Sequence, residues 1–277
     1  MNQDNIILQA LKEDIGNGDI TTNSTIPEGK IASFKLVAKE DFVVCGVKIF
    51  EKAMNIFDSS TKIKHNAKDG DFINKGAIIL EGIGNARSIL TVERVALNLM
   101  QYMSAIATKT KTYTEILKGT DIKILDTRKT IPLYRELSKY AVKIGGGENH
   151  RFGLYDQILI KDNHIEASGS IKSAVRNAKK LNTGRKIVIE CENKQQINES
   201  LNENVDRIML DNMSNKEISD SIKLIDGRCK IEVSGNMNLK RIEQLKEYKI
   251  DFISVGAITH TISFVDISLK VFLGIEN

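Results

Sequence analysis

The sequence predicts an α/β protein whose N-terminal half carries a mostly antiparallel sheet and whose C-terminal half carries a parallel one. Before residue 88, short segments with alternating apolar residues are separated by glycine and asparagine turns, which favours antiparallel strands. From residue 120 onward, six short β-branched segments alternate with helical patterns across short connections, which is typical of a parallel sheet. Six such strands fit either an open doubly wound sheet or a barrel.

The N-terminal half begins with an amphipathic helical pattern. Residues 13–22 are rich in acidic residues and glycine, and we interpret them as a capped turn. Periodicity predicts the remaining elements of this half as helices over 4–14 and 46–57 and strands over 30–38, 41–45, 61–65 and 78–83.

A long helical pattern over 88–118 joins the two halves. Ser88 is a suitable N-cap, Gly119 ends the pattern, and the polar Ser104 allows a break within it. The charged pair Glu93 and Arg94 interrupts an apolar stretch of this helix. That pair fits an exposed helix surface and a functional position equally well.

The C-terminal half alternates strands and helices in order. The strands are predicted over 122–126, 157–161, 186–190, 207–211, 230–234 and 251–255, and the helices over 133–144, 170–181, 194–202, 214–225 and 238–247. Residues 263–273 are predicted to form a final amphipathic helix that packs back on the first domain.

Length and composition limit the classes of protein. The 277 residues allow one or two domains, and a net charge of +4 without any tryptophan gives no support for a nucleic-acid partner. The three cysteines lie far apart, so they are expected to stay reduced rather than to bind metal. The N-terminus lacks a signal-peptide pattern and no apolar stretch is long enough to span a membrane, so the protein is expected to be cytoplasmic.

Polar or glycine residues follow every predicted strand of the parallel sheet. In parallel α/β folds these strand ends share one face, which carries the active site. The ends are Thr127-Arg128-Lys129, Lys161-Asp162-Asn163-His164, Glu190 with Glu192, Asp211-Asn212, Ser234-Gly235-Asn236 and Gly256-Ala257-Ile258-Thr259. We therefore predict a concave site built from the ends of six strands.

The order of charges along these strand ends indicates how such a site would work. The early cations, with His150 and Arg151 between the first two strands, suit an anion that carries several carboxylates or phosphates. Carboxylates at positions such as Glu190 and Asp211 suit Mg²⁺ and sugar hydroxyls. The glycine-containing ends fit either ordinary turns or phosphate-binding loops that precede helix N-termini. We interpret His150 as an anion-binding residue and His164 as a structural one.

The sequence contains no nucleophile elbow, no reactive-cysteine setting and no metal-ligand spacing of histidine and cysteine. The chemistry is therefore expected to rest on binding and electrostatics rather than on a covalent intermediate.

With these residues identified, the chain resembles quinolinate phosphoribosyltransferase, the decarboxylating enzyme also called nicotinate-nucleotide pyrophosphorylase, nearly from end to end. The motifs that carry the resemblance are EDIGNGDITT at 13–22, ERVALNLMQYMSAIAT at 93–108, DTRKTIP at 126–132, KYAVKIGGGENHRFGLYDQILIKDNHI at 139–165, LDN at 210–212, VSGN at 233–236 and DFISVGAIT at 251–259.

The resemblance implies an α/β sandwich domain over 1–110 and a (β/α) barrel of about six or seven strands over 111–262. It further implies that a helix over 263–277 packs back on the first domain. It also implies a homodimer in which the first domain of one subunit covers the barrel mouth of the other. Arg94 would then reach across the interface to the substrate of the neighbouring subunit.

The resemblance also assigns roles to individual residues. It implies that the substrates are bound by Arg94 from the neighbouring subunit and by Thr127, Arg128, Lys129, His150, Arg151 and Lys161, which would contact quinolinate and phosphate. Glu190 and Asp211 would bind on the ribose and Mg²⁺ side. Its catalytic residues would be Glu190, Asp211, Lys129 and Lys161, and Glu190 and Asp211 would hold Mg²⁺ directly or indirectly. Its phosphate loops would be Ser234, Gly235 and Asn236, with Gly256, Ala257 and Ile258.

Two positions depart from the pattern of the family. Asn236 stands where many members have a second glycine, and asparagine tolerates positive φ better than most residues. Val188 stands where many members have the first of three alternating glutamates, the others being Glu190 and Glu192 here. The outermost carboxylate is therefore not expected to be essential.

The implied activity is a pentosyl transfer from phosphoribosyl pyrophosphate to quinolinate that releases pyrophosphate and CO₂. A phosphoribosyltransferase of the same fold that acts on another aromatic acid is the alternative. A non-catalytic protein that binds anions or nucleic acid is a third hypothesis, which the small net charge and the predicted carboxylates disfavour.

Overall fold

The computed structural model describes residues 3–181 and 184–272. In chain order its elements are α1 Gln3–Ile15, α2 Ile20–Thr25, β1 Ile31–Ala38, β2 Phe42–Val43, α3 Val47–Phe57, β3 Lys62–His65, β4 Phe72–Ile73, β5 Ile78–Asn85, α4 Ala86–Ile116, β6 Lys123–Leu125, α5 Arg135–Ile144, β7 Ile158–Ile160, α6 Asp162–Ser168, α7 Ile171–Lys180, β8 Ile187–Cys191, α8 Lys194–Asn202, β9 Arg207–Asp211, α9 Asn215–Ile225, β10 Lys230–Ser234, α10 Leu239–Leu245, β11 Phe252–Ser254, α11 Ala257–His260 and β12 Ile267–Phe272.

The chain divides into two compact units. The first takes its described residues from Met1–Lys111, Thr130–Gly146 and Thr261–Asn277, and the second from Thr112–Lys129 and Gly147–His260. This differs from the predicted boundary, which assigned all of 111–262 to one domain. The difference lies in residues 130–146, which contain α5 and belong to the first unit although they connect β6 to β7 of the second.

The first unit is built on an antiparallel sheet with the strand order β12-β1-β5-β3. Strand β1 alternates between buried and partly exposed residues, as expected for a sheet with one face on the core. A separate pair of short strands, β2 and β4, is also antiparallel.

The predicted final helix over 263–273 is wrong, because residues Ile267–Phe272 form strand β12. Their apolar residues Ile267, Leu269 and Val271 recur at every second position, and this period of two fits a strand. Pairing with β1, from Ser33 opposite Phe272 to Ala38 opposite Ile267, gives their backbone groups hydrogen-bond partners. Residues 273–277 lie outside the described part of the chain.

Helix α4 is continuous from Ala86 to Ile116, without the break that Ser104 allowed. The hydroxyl of Ser104 instead bonds the backbone N–H and carbonyl of Cys45 at 2.9 and 3.0 Å. The helix also begins earlier than predicted: Oδ1 of Asn85, rather than Ser88, accepts hydrogen bonds from the first backbone N–H groups. The predicted turn over 13–22 likewise leads into α2, for which Asp19 is the N-cap.

The second unit contains a six-stranded parallel sheet with the order β6-β11-β10-β9-β8-β7. The first strand of this unit pairs with its last, which is the closure of a barrel and not the order of a doubly wound sheet. Within residues 3–181 and 184–272, no ladder joins β6 to β7, and only an isolated bridge between Leu125 and Glu148 continues that edge. The second unit is therefore an incomplete (β/α) barrel.

Over residues 3–181 and 184–272, no helix is both long enough and apolar enough to cross a bilayer.

Gly82 on β5 provides a test of packing in the first unit. A Cβ atom there would lie 2.4 Å from the ring of Phe34 and 2.8 Å from the carbonyl oxygen of Lys62. Because both neighbours are held in the sheet, we expect Gly82→Ala to lower the free energy of unfolding by about 1–3 kcal/mol in urea denaturation. Lys62→Ala removes an exposed side chain and keeps the carbonyl, so it should change stability by less than about 0.5 kcal/mol. Equal stability of Gly82→Ala and the wild type would contradict this account.

Candidate active site

A cavity of about 810 Å³ opens at the carboxyl ends of the parallel strands within the second unit. It is lined by Thr127, Arg128, Lys129, His150, Arg151, Leu159, Lys161, Glu190, Met209, Asp211, Asn212, Ser234, Gly235, Asn236, Met237, Asn238, Ser254, Gly256, Ala257 and His260. The structure thus brings together thirteen of the fifteen residues predicted for the site. The two others, Arg94 and Ile258, do not line the cavity.

Strand register explains why the carboxylates meet. In β8, Glu190 alternates with Ile189 and Cys191, which are both fully buried on the opposite face. Glu190 lies in register with Met209 of β9, and Asp211 lies in register with Ser234 of β10. Alternate residues of each strand face the interior of the barrel. Along any one of these parallel strands, the inward-facing residue nearer the carboxyl end lies nearer the cavity.

The cations enter the cavity from two loops and one strand end. The backbone N–H of Lys129 donates to Oγ1 of Thr127 at 3.0 Å, and the Lys129 carbonyl accepts from Thr259 at 2.8 Å, which fixes the loop after β6. Burial, together with the like charge of Arg128, lowers the pKa of the Arg151 guanidinium. Two cations held this close together favour a ligand with more than one negative charge.

The carboxylates are engaged by neighbours inside the same cavity. Lys161 Nζ forms an ion pair with Oε2 of Glu190, whose side chain is 12% exposed. Asp211 accepts a hydrogen bond from the Ser234 hydroxyl, and its other oxygen accepts from the side-chain amide of Asn212 at 2.7 Å. These contacts orient both carboxylates toward the cavity.

The loop after β10 depends on a glycine. Gly235 has φ +92°, and a Cβ atom there would lie 2.2 Å from Oδ1 of Asn212 and 2.7 Å from its backbone nitrogen. Asn236 also has a positive φ of 49°, so asparagine tolerates the conformation for which many members of the resembled family have glycine. Its side-chain amide donates to Asn212 Oδ1 at 3.3 Å. The tight turn brings backbone close to the cavity without a side chain in the way.

The predicted roles of the two histidines have different outcomes. His164 is structural, as predicted, because its Nδ1 accepts a hydrogen bond from the backbone N–H of Lys161 at 3.0 Å. His150 lines the cavity but is 8% exposed, and its Nδ1 accepts from the backbone N–H of Arg151 at 2.7 Å. Its predicted anion-binding role stays a prediction.

The remaining predicted residues lie apart from the cavity. Glu192 is exposed beyond the end of β8 and does not line the cavity. Arg94 is exposed on α4 in the first unit, and the side chain of Ile258 is fully buried.

A buried carboxylate below the cavity was not predicted from the sequence. Glu232 on β10 is completely buried and contacts Arg207 at 2.9 Å, Nε2 of His150 at 3.5 Å and the hydroxyl of Ser254. Burial acts to raise the pKa of this carboxyl, but the contacts with His150, Ser254 and Arg207 together hold it below its usual range. A glutamate between the apolar residues Ile231 and Val233 of a predicted strand was the signal that could have identified it.

The donor atoms determine whether the site could hold a resident metal ion. Over residues 3–181 and 184–272, the structure has no group of three or more histidine, cysteine or carboxylate side chains that could hold a metal ion. The carboxylates of Glu190 and Asp211 still fit a Mg²⁺ ion that takes most of its ligands from water and substrate phosphates.

Two family models together match most of the sequence. The model described as the quinolinate phosphoribosyl transferase C-terminal domain matches residues 106–270, and the model for the N-terminal domain matches residues 19–104. The chain is similar to an Arabidopsis thaliana protein named nicotinate-nucleotide pyrophosphorylase (carboxylating), chloroplastic. The two are 40% identical over 96% of this chain and 82% of the relative.

Solved structures give the same result. The nicotinate-nucleotide pyrophosphorylase from Ehrlichia chaffeensis superimposes with a TM-score of 0.94 at 41% identity, over 98% of this chain and 99% of that one. NadC from Streptococcus pyogenes superimposes with a TM-score of 0.93 at 41% identity, over 96% and 95% of the two chains.

Gly235→Ala tests whether the loop after β10 binds phosphate. The added methyl group would push Asn212 out of place, so we expect the affinity for inorganic pyrophosphate, measured by titration calorimetry, to fall about 10-fold or more. Gly227→Ala is the matched control, because Gly227 also has a positive φ (+71°) but has no atom near the added Cβ and lies outside the cavity. If both variants bind pyrophosphate like the wild type, this loop is not a phosphate site.

Proposed function

Because this chain belongs to the quinolinate phosphoribosyltransferase family, we propose that it transfers the phosphoribosyl group of phosphoribosyl pyrophosphate to quinolinate. The products are nicotinate mononucleotide, pyrophosphate and CO₂, and the reaction is a step in the biosynthesis of NAD. One observation carries the proposal: four cations, two carboxylates and a glycine loop line a single cavity at the carboxyl ends of parallel strands.

The cationic loops are the part of the site that suits quinolinate. Arg128 and Arg151 are close enough to affect each other electrostatically, and a pyridine dicarboxylate presents two anionic groups that such a pair can bind. Bidentate pairing of guanidinium with carboxylate also fixes orientation. We therefore assign the two carboxylates of the substrate to Arg128 and Arg151, with Lys129 and Thr127 beside them.

The other strand ends suit the phosphoribosyl donor. The turn at Gly235 and Asn236 and the short loop at Gly256 and Ala257 can present backbone N–H groups to a phosphate. The carboxylates of Glu190 and Asp211 stand at the ends of β8 and β9, between Lys161 after β7 and the Gly235 turn after β10, and we place the ribose hydroxyls and the anomeric carbon there.

The reaction follows from this arrangement of charge. The pyridine nitrogen attacks the anomeric carbon as pyrophosphate leaves, and the ribose passes through a state with oxocarbenium character. A carboxylate at Glu190 or Asp211 stabilises that positive charge, and Lys161 and Lys129 hold the anionic groups in line. The positive nitrogen of the pyridinium that forms then stabilises the electron pair left on C2 as the C–CO₂ bond breaks and CO₂ leaves, and a proton from solvent adds to that carbon.

We also propose that Mg²⁺ accompanies the pyrophosphate group and is held by Glu190 and Asp211, directly or through water. Mg²⁺ retains several waters and prefers one or two carboxylates together with substrate phosphates, which agrees with the small donor set here.

A homodimer completes the site in our proposal. Arg94 is an exposed cation in a stretch of α4 that otherwise buries apolar residues. We propose that it reaches the cavity of a second subunit, as the family resemblance implies. The cytoplasmic location stays a prediction.

A phosphoribosyltransferase for a different aromatic acid is the alternative. The two adjacent cations Arg128 and Arg151 favour a dicarboxylate over a monocarboxylate, and release of CO₂ distinguishes the two substrates.

The direct test is an assay with quinolinate, phosphoribosyl pyrophosphate and Mg²⁺ that follows both nicotinate mononucleotide and CO₂. We expect turnover that stops in excess chelator. We also expect Arg128→Ala to lower kcat/KM for quinolinate by the equivalent of about 2–5 kcal/mol, because a buried carboxylate of the substrate loses its partner. Arg176→Ala, which removes an arginine from α7 outside the cavity, should leave turnover unchanged. Product without CO₂ would support the alternative acid, and full activity of Arg128→Ala would refute the assignment of Arg128.

The dimer is tested by mixing two inactive variants. If Arg94 acts on the neighbouring subunit, each mixed dimer of Arg94→Ala with Arg128→Ala contains one intact site. Random exchange should then restore about a quarter of the wild-type activity. A mixture of Arg128→Ala with Lys161→Ala is the control and should restore none, because both residues belong to the same unit. No recovery with the first pair would show that Arg94 does not act across an interface.

A further inference from the structure

The buried carboxylate Glu232 is the centre of a polar cluster below the cavity. Its Oε2 accepts a hydrogen bond from Nη1 of Arg207 at 2.9 Å, and its Oε1 accepts from the Ser254 hydroxyl. The same Oε1 lies 3.5 Å from Nε2 of His150, which no solvent reaches. The carboxylate therefore accepts two hydrogen bonds, and the ring nitrogen of His150 lies near one of the same two oxygens. Ser254 and His150 also line the cavity, whereas Arg207 does not.

The contacts of His150 define which nitrogen carries its proton. Nδ1 accepts the backbone N–H of Arg151 at 2.7 Å, so it cannot itself carry a hydrogen. The proton of the ring is then on Nε2, which points to Glu232. This tautomer follows from the hydrogen-bond partners. A chain of contacts thus runs from Glu232 through the His150 ring to the backbone of Arg151.

We propose that Glu232 is a positioning residue for substrate binding: it holds His150 in the Nε2–H tautomer, and His150 in turn holds the backbone of Arg151 so that its guanidinium meets the acid substrate. The inference rests on the proposed function for the role of Arg151. His150 contributes by orienting Arg151 rather than as a cation of its own.

The amide variant Glu232→Gln is a sharp test because it keeps the shape of the side chain and changes the donor pattern. Arg207 cannot give up its protons, so the single amide oxygen is expected to face Arg207. The amide NH₂ group then faces Nε2 of His150 and drives the ring to the Nδ1–H tautomer. The proton on Nδ1 then faces the backbone N–H of Arg151, so the hydrogen bond between Arg151 and the ring is lost.

Removing Arg207 as well should reverse the effect of Glu232→Gln. In the double variant Arg207→Met with Glu232→Gln, the amide oxygen is free to turn toward His150 and Ser254. Methionine can also keep the apolar contact with Phe252, over whose ring Arg207 lies at 3.9 Å. A purely structural defect would grow with a second buried substitution, whereas the proposed mechanism predicts recovery.

The experiment measures kinetics and the histidine tautomer in the full-length protein. For Glu232→Gln we expect KM for quinolinate to rise about 10-fold, with a much smaller change in KM for phosphoribosyl pyrophosphate, and substantial recovery in the double variant. Nitrogen-15 spectra of the histidine rings, assigned with His150→Gln, should show the Nε2–H form in the wild type and the double variant and the Nδ1–H form in Glu232→Gln.

The control is Ser200→Ala. It removes a fully buried hydroxyl of α8 that bonds the Gln196 carbonyl at 2.7 Å, away from the cavity. It should lower the melting temperature without a selective change in either KM. Equal changes in both KM values for Glu232→Gln, or a double variant worse than the single one, would overturn the proposal. The nitrogen-15 result does not depend on turnover, so an unchanged tautomer refutes the inference even if the assay confirms the enzyme. An inactive wild type would instead refute the proposed function and leave the tautomer measurement valid.

Discussion

The pairing of β6 with β11 determines where the cavity forms. It joins the first strand of the second unit to the last, so the sheet curves on itself and the carboxyl ends of its strands meet. Without this pairing, Arg128 and Lys129 after β6 would lie far from Gly256 after β11. The hydrogen bond from Thr259 to the Lys129 carbonyl continues the same contact beyond the strands.

The described residues form no ladder between β6 and β7, and a long loop enters the barrel at this open edge. The loop with His150 and Arg151 enters at this edge, where the bridge between Leu125 and Glu148 replaces a strand pair. Asp126, which is fully buried, accepts the backbone N–H of His150 at 2.9 Å and ties the loop to the end of β6. An incomplete barrel can therefore place cations from a long loop beside cations from a strand end, which a closed barrel would separate.

Most of the fold and of the site could be predicted from the sequence, because both depend on local patterns. Strand ends such as Glu190 and Asp211 are recognisable where an apolar run meets polar residues, and parallel pairing brings them together. The elements that were missed depend on tertiary contacts. The apolar positions of residues 267–272 fit the period of a strand as well as that of a helix. They form a strand because they pair with the free edge of β1. Asn85 rather than Ser88 caps α4, because β5 leads directly into the helix.

The buried network around Glu232 could not be predicted for the same reason. The sequence KIEVS places a glutamate within a strand, and its burial becomes clear only when Arg207 and Ser254 arrive from the neighbouring strands. A buried carboxylate without partners would cost several kcal/mol, so these contacts are a condition for its presence.

The balance of charge in the cavity bears on the proposed metal. Arg128, Lys129, Arg151 and Lys161 line it against two carboxylates, and Lys161 is already paired with Glu190. This leaves a small excess of positive charge, which matches a dicarboxylic acid but not a dicarboxylic acid and a pyrophosphate together. Burial first, and the like charge of Arg128 second, lower the pKa of Arg151. Cations gathered at one site thus repel each other, so adding more of them would destabilise the empty protein. The proposed divalent cation would arrive with the phosphates and supply the missing charge only when the anion is present. Glu190 and Asp211 would then serve as its ligands rather than repel the phosphates.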